Sequence, residues 1–213
     1  MRVSLTDDKW PEYLPGPPDY ILVLGVVALN YGRMENMFRY LFSTVTRMNE
    51  IQVAAIFQRM PNNIRQTVLA EVMAQTTLPD KLKDRVNHFI GGFKVCAENR
   101  HDLMHSRPGG TFTSRSRGIR GLLFTKVSKA GKELSCAPSL TDLREVADDI
   151  HEYARFGGDV ASEIRNFLAC REGGDEMPFW RVPLKSKPRK PTALRWQSPN
   201  TLIQPSPPRS SPE

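Results

Sequence analysis

The stretch DYILVLGVVALNYGRMENMFRYLFSTV, residues 19–45, decides the fold. Leu24, Val27, Ala28, Tyr31, Met34, Phe38, Leu41, Phe42 and Val45 recur at steps of three and four, a single apolar stripe along about seven helical turns. Pro15-Gly16-Pro17-Pro18 ahead of it cannot be helical, and Asp19 stands where an N-cap would accept from the first free amides, so the helix is expected to start at about Tyr20. The apolar run Tyr20 to Leu29 is about half of the roughly 20 residues a bilayer span needs. Asp7, Asp8 and Glu12 precede it in place of a basic leader, so the reading is a soluble, cytoplasmic chain without a membrane contact or cleaved signal. Glu35 lies at the stripe's edge, where a carboxylate is costly unless paired. An ion pair with Arg39 or with another helix is expected there, ahead of a catalytic role.

Further along, a short helix is predicted over about Glu50 to Arg59, ended by Pro61. Asn62 or Asn63 would cap another, through Ile64, Val68, Leu69 and Val72 to about Gln75. Pro79-Asp80 opens a long helix reaching about Ser106 through Leu82, Val86, Phe89, Ile90, Phe93, Val95, Ala97, Leu103 and Met104. Gly91-Gly92 inside it weakens helix propensity and suggests that another helix crosses closely there. After Pro108-Gly109-Gly110 the period changes. Thr111 to Thr113 and Gly121 to Val127 read as short strands, with Lys129 to Lys132 as a following turn. Pro138-Ser139 then opens the last long helix, from Leu140 to about Arg171, with Gly157-Gly158 as a candidate kink.

The expected architecture is mainly α: an antiparallel helical bundle with a small β-hairpin inserted before the last long helix and a disordered C-terminal tail. Residues 1–18 form a polar lead, 19–173 the bundle, and 174–213 a proline-rich basic tail with too few apolar side chains to fold. Within that tail, Trp180, Leu184, Leu194 and Trp196 are the side chains able to dock.

Charge is distributed unevenly. Of 213 residues, 30 are Lys or Arg and 23 are Asp or Glu, a net charge of +7. The tail carries +4 of it, and residues 107–132 carry seven basic side chains with no acid, namely Arg107, Arg115, Arg117, Arg120, Lys126, Lys129 and Lys132. The rest of the bundle is net acidic, which excludes a uniformly cationic nucleic-acid-binding surface and leaves one local patch. Cys96, Cys136 and Cys170 are odd in number and widely spaced, which indicates neither a disulfide framework nor a cysteine-rich zinc site.

The chemistry is concentrated in Glu98-Asn99-Arg100-His101-Asp102-Leu103-Met104-His105-Ser106. Arg100 and His105 are about 140° apart around an ideal helix, but arginine is long enough to reach round to an imidazole at the helix end. A permanently charged guanidinium beside an imidazole, a group whose ordinary pKa is near 6.5, suits metal-free phosphodiester cleavage: one neutralises phosphorane charge and the other moves protons. Such chemistry selects RNA, whose 2′-OH is an internal nucleophile.

This R-x-x-x-x-H pattern at the end of a long helix resembles the HEPN superfamily of ribonucleases and RNA-binding domains. The likeness extends to a long first helix containing Gly32-Arg33-Met34-Glu35, the motif helix, a short β segment and a final long helix, over about residues 20–171. It implies Arg100 and His105 as the catalytic pair, His101 at the polar position beside the arginine, cleavage without cofactor or metal to a 2′,3′-cyclic phosphate, and a homodimer whose two motifs share a cleft. It also implies a toxin or defence effector with an antitoxin or other partner protein, or alternatively a catalytically silent bundle that binds RNA or a protein.

The basic segment leaves the motif helix directly. Arg107, Arg115, Arg117, Arg120 and Lys126 are therefore the expected contacts to an RNA backbone, with Phe112 or Phe124 available for base stacking. Two plainer readings compete. Arg100 can tie down Glu98 or Asp102 while His105 favours the negative end of the helix dipole. His101-Asp102-x-x-His105 is close to the zinc-hydrolase H-E-x-x-H, with no third ligand at a family spacing and His88 or His151 as the residues that could supply one from neighbouring positions.

Overall fold

The computed structural model describes residues 16–113, 120–172 and 186–199. Five helices are present in it: α1 Pro18–Thr46, α2 Glu50–Arg59, α3 Asn62–Gln75, α4 Asp80–His105 and α5 Leu140–Glu172. Strands β1 Arg107–Thr113, β2 Arg120–Val127 and β3 Glu133–Cys136 lie between α4 and α5. The mainly α bundle with a β insertion before the last helix is what the apolar periodicity predicts. The polar lead 1–15, residues 114–119 with Arg115 and Arg117, and the tail positions Trp180 and Leu184 lie outside the described residues.

α1 buries Tyr20, Val23, Val27, Tyr31, Met34, Phe38, Leu41, Phe42 and Val45. Its inner face is turned slightly from the expected stripe: Leu24 is half-buried and Ala28 exposed. The side opposite the core leaves Leu22 and Leu29 largely exposed, at 70% and 73%. α5 runs parallel to α1, tied by Tyr20 Oη to the Pro138 carbonyl at the N-terminal end of both helices and Asn30 Nδ2 to the Ala147 carbonyl at 3.1 Å further along. α4 is antiparallel to α5, so the bundle is not antiparallel throughout. Phe38, Phe57, Phe89 and Phe93 interlock between α1, α2 and α4, with Phe38 and Phe93 ring centres 4.7 Å apart. Arg85 on α4 and Glu163 on α5 form a buried two-point pair at 2.7 and 3.0 Å.

Helix starts differ from expectation in detail. α1 begins at Pro18 behind Pro17, with Asp19 in the first turn, and α3 begins at Asn62 behind Pro61; neither has a side-chain cap. Proline supplies the φ of a helix start and has no N–H to satisfy. Asn62 is freed for a tertiary bond instead. At α5, Ser139 and Asp142 exchange capping bonds, Asp142 N to Ser139 Oγ at 3.1 Å and Ser139 N to Asp142 Oδ2 at 2.8 Å. α5 continues as α-helix through Gly157-Gly158.

The hairpin is a three-stranded antiparallel sheet in the order β1-β2-β3. β1 starts directly at Arg107, earlier than expected, because a bulge between Pro108 and Gly110 absorbs the breakers, with Gly110 at φ +107° on an edge strand. β3, Glu133-Leu134-Ser135-Cys136, alternates polar and apolar but over only four residues, too few to stand out from a turn in the sequence. Phe124 is buried in the core, so it does not offer a stacking face.

The tail expected to be disordered is ordered over 186–199. Pro191 is buried, Leu194 and Trp196 are half-buried, and Gln197 pairs with Ser135 of β3. The tail has too few apolar side chains to form a core alone, but these residues borrow the one already formed by α4, α5 and β3.

Burial pushes the Cys96 thiol up to about 12 and the Cys136 thiol to about 11, with Asp149 and Asp142 adding to the respective effects. At pH 8 the thiolate share of either is then about one part in a thousand or less. Iodoacetamide on the folded chain should therefore modify half-buried Cys170 first, and Cys96 and Cys136 only on unfolding, as read by peptide mass spectrometry.

Candidate functional site

α4 ends at His105, because Ser106 turns to extended backbone and leads straight into β1. This places the motif at the junction of bundle and sheet. Arg100 curls round the last turn so that Nη1 lies 3.4 Å from His105 Nε2. The His101 and His105 rings, one turn apart on the same face, have centres 4.7 Å apart. The Arg100 guanidinium carbon sits 5.3 Å from the Tyr31 ring centre, and its Nε is buried without a hydrogen-bond partner. Three of the residues singled out by sequence thus meet at one point.

An open cleft of about 670 Å³ runs along this junction, with His101, Asp102, His105, Arg107, Lys126 and Lys129 on its walls. His101, His105, Arg107 and Lys129 are exposed to it. Lys126 points from β2 to α4, where Nζ lies 2.5 Å from Asp102 Oδ2 and 4.1 Å from the Trp196 ring centre. Its charge is therefore partly matched and its face covered. Arg120 starts β2, at the far end of the hairpin from His105 in the pairing with Thr113. Of the basic residues expected to meet a backbone, Arg107 and Lys126 are thus at the cleft, Arg120 belongs to the opposite end of β2, and Arg115 and Arg117 lie outside the described residues.

The competing assignments of these residues separate clearly. Asp102 is paired with Lys126, not with Arg100. His88 Nε2 lies 2.9 Å from the Pro188 carbonyl and 3.0 Å from Tyr153 Oη, and His151 lines a different groove with Arg33 and Arg155. Neither stands beside His101 and His105. Among the described residues no group of three or more His, Cys, Asp and Glu side chains is arranged to hold a metal ion. No described helix is long and apolar enough to cross a membrane.

Behind Arg100 is a network that sequence reasoning did not reach. Asn62 Nδ2 donates to Tyr31 Oη at 2.7 Å, and Arg65 Nη1 donates to Asn62 Oδ1 at 2.8 Å. Arg65 Nη1 also lies 3.7 Å from Glu35 Oε1. Glu35 thus pairs across to another helix, the second of the two partners expected for it. Burial, with Glu35 beside it, pushes the Tyr31 hydroxyl up to about 12, so the ring stays neutral under the guanidinium. The signal in sequence was only Glu35 on an apolar edge; its partner is 30 residues away.

No family model matches this chain, and neither a curated protein nor a solved structure matches it, so its functional reading stands on the geometry alone.

Proposed function

We propose that this chain is a HEPN-type, metal-independent endoribonuclease acting on single-stranded RNA as a homodimer, in the manner of a toxin or defence effector. The observation that carries the reading is the approach of Arg100 Nη1 to His105 Nε2 at the rim of a cleft bordered by Arg107, Lys126 and Lys129. His105 takes the proton from the 2′-OH, O2′ forms the new bond to phosphorus, and the bond from phosphorus to O5′ breaks. His101, in ring contact with His105, returns a proton to O5′, leaving a 2′,3′-cyclic phosphate and a 5′-hydroxyl. Arg100 faces the non-bridging oxygens as charge builds on them. Its stacking on Tyr31 leaves the outer nitrogens to do so.

The test is incubation of purified protein with single-stranded RNA in excess EDTA, with end-group analysis of the products. Fragments ending in 2′,3′-cyclic phosphate are expected, and their yield should fall steeply between about 50 and 200 mM salt, since several cationic contacts hold the backbone. RNA left intact while still bound would instead leave a binding bundle; no binding at all would reject both.

A further inference from the structure

Residues 186–199 follow the groove between α4 and α5 in an extended form and then reach the free edge of β3. Most of the contacts that hold them are to backbone. Asn99 is buried and uses both ends of its amide, donating to the Thr192 carbonyl at 2.8 Å and accepting from Leu194 N at 2.9 Å. Ser135 and Gln197 exchange two backbone bonds at 2.8 and 2.9 Å. Pro188 offers its carbonyl to His88 at 2.9 Å. Around these, acids of the groove meet bases of the segment: Asp84 pairs with Lys187, and the buried Asp149 carboxylate lies 3.1 Å from Arg189. The groove is thus built to recognise an extended basic peptide.

Other features argue that this seating is weak enough to reverse. The segment is joined to the sheet by one bridge pair with no longer ladder, Pro191 is its only buried side chain, and Lys187 and Arg189 are 37% and 58% exposed, where ion pairs are screened. Trp196 is docked with its Nε1 buried and unpartnered, a cost that release removes. The docked ring lies on Lys126, which is a wall of the candidate cleft and the partner of Asp102.

We propose that the α4–α5 groove, continued along β3, is a receptor surface for an extended basic peptide, this chain's own residues 186–199, and that its reversible seating controls access to the candidate site by covering Lys126. Only the control of RNA access rests on the nuclease reading. The groove and its occupant do not.

The test uses the full chain in three forms, unsubstituted, Trp196→Ala and Arg189→Glu, with hydrogen exchange and acetylation of Lys126 followed by mass spectrometry. In the unsubstituted chain, peptides spanning 192–197 should exchange at least about tenfold faster than those in the middle of α4 and α5, which marks local opening and not global unfolding. Both variants should speed that exchange further and raise Lys126 acetylation about threefold or more, with the α4 and α5 cores unchanged. Exchange of 192–197 at the same rate as the cores, loss of core protection in both variants, or unaltered Lys126 acetylation would each overturn the proposal. RNA binding by the same three forms separates the two ideas: tighter binding by the variants supports control of the site. Failure of all three to bind, with the exchange and acetylation results as expected, would reject the RNA reading and leave the groove and its occupant established.

Discussion

Gly92→Ala is expected to destabilise the protein by about 3 kcal/mol or more, whereas Gly91→Ala, one residue away, should stabilise it by up to about 1 kcal/mol. A Cβ on Gly92 would stand 1.8 Å from Tyr153 Cε1 and 2.1 Å from Cζ. Tyr153 cannot retreat: it is completely buried, its ring stacks on His88, and its hydroxyl is 3.0 Å from His88 Nε2. The helices themselves must separate, and the Phe89 ring packed on Gly157, where an added Cβ would lie 2.6 Å away, would be disturbed with them. A Cβ on Gly91 meets nothing within 4 Å, so alanine there only removes the entropy that glycine loses on entering a helix. Urea unfolding followed by circular dichroism gives both results from midpoints at a common slope. Equal effects at the two positions would mean that α4 and α5 do not cross as described.

The adjacency of Gly91 and Gly92 was readable in the sequence as a close crossing; which of the two glycines lies at it was not. More generally, features fixed within one helix were legible. The apolar repeats placed all five helices, and the spacing of Arg100, His101 and His105 placed those three residues on the last turns of α4 before the sheet. Features set by residues far apart in sequence were not legible. Arg85 and Asn99 fall on the buried face of α4, where periodicity alone expects apolar side chains; each is there because a distant partner, Glu163 or the backbone at Thr192 and Leu194, satisfies it. Trp196 reads in the sequence as one of four tail side chains able to dock, and only the fold shows that its place is beside β3 and Lys126.

The same distinction explains the basic segment. Counting charges in residues 107–132 locates a cationic surface next to the motif, but it cannot say which charges are already engaged. Lys126 is held by Asp102 and faced by Trp196, while Arg107 and Lys129 are exposed to the cleft. The surface near His105 is therefore less cationic than its sequence count, and the tail makes part of that difference.

Arg100→Ala and His105→Ala are each expected to lower cleavage of single-stranded RNA by at least about a hundredfold, the usual scale for loss of a positioned proton carrier or of a charge-stabilising group. His105 is exposed, so its removal should leave the unfolding midpoint almost unmoved. Arg100 also stacks on Tyr31, and its loss should cost about 0.5–1 kcal/mol of stability, too little to unfold the chain. Arg100→Lys discriminates between roles. It keeps the positive charge but not the planar fork that can stack on Tyr31 and still present two donors to a phosphate, so cleavage should stay well below that of the unsubstituted chain. Because both residues serve one step, the double variant should be little worse than either single one, instead of showing the product of the two losses. Lys126→Ala should behave differently, weakening RNA binding and reducing its salt dependence by about one phosphate contact while leaving the cleavage step intact. Initial rates with saturating RNA, paired with binding isotherms across a salt series, separate these outcomes. Undiminished cleavage in either Arg100→Ala or His105→Ala would reject the paired guanidinium and imidazole as the source of the chemistry, since their approach at the edge of the cleft is what carries the assignment.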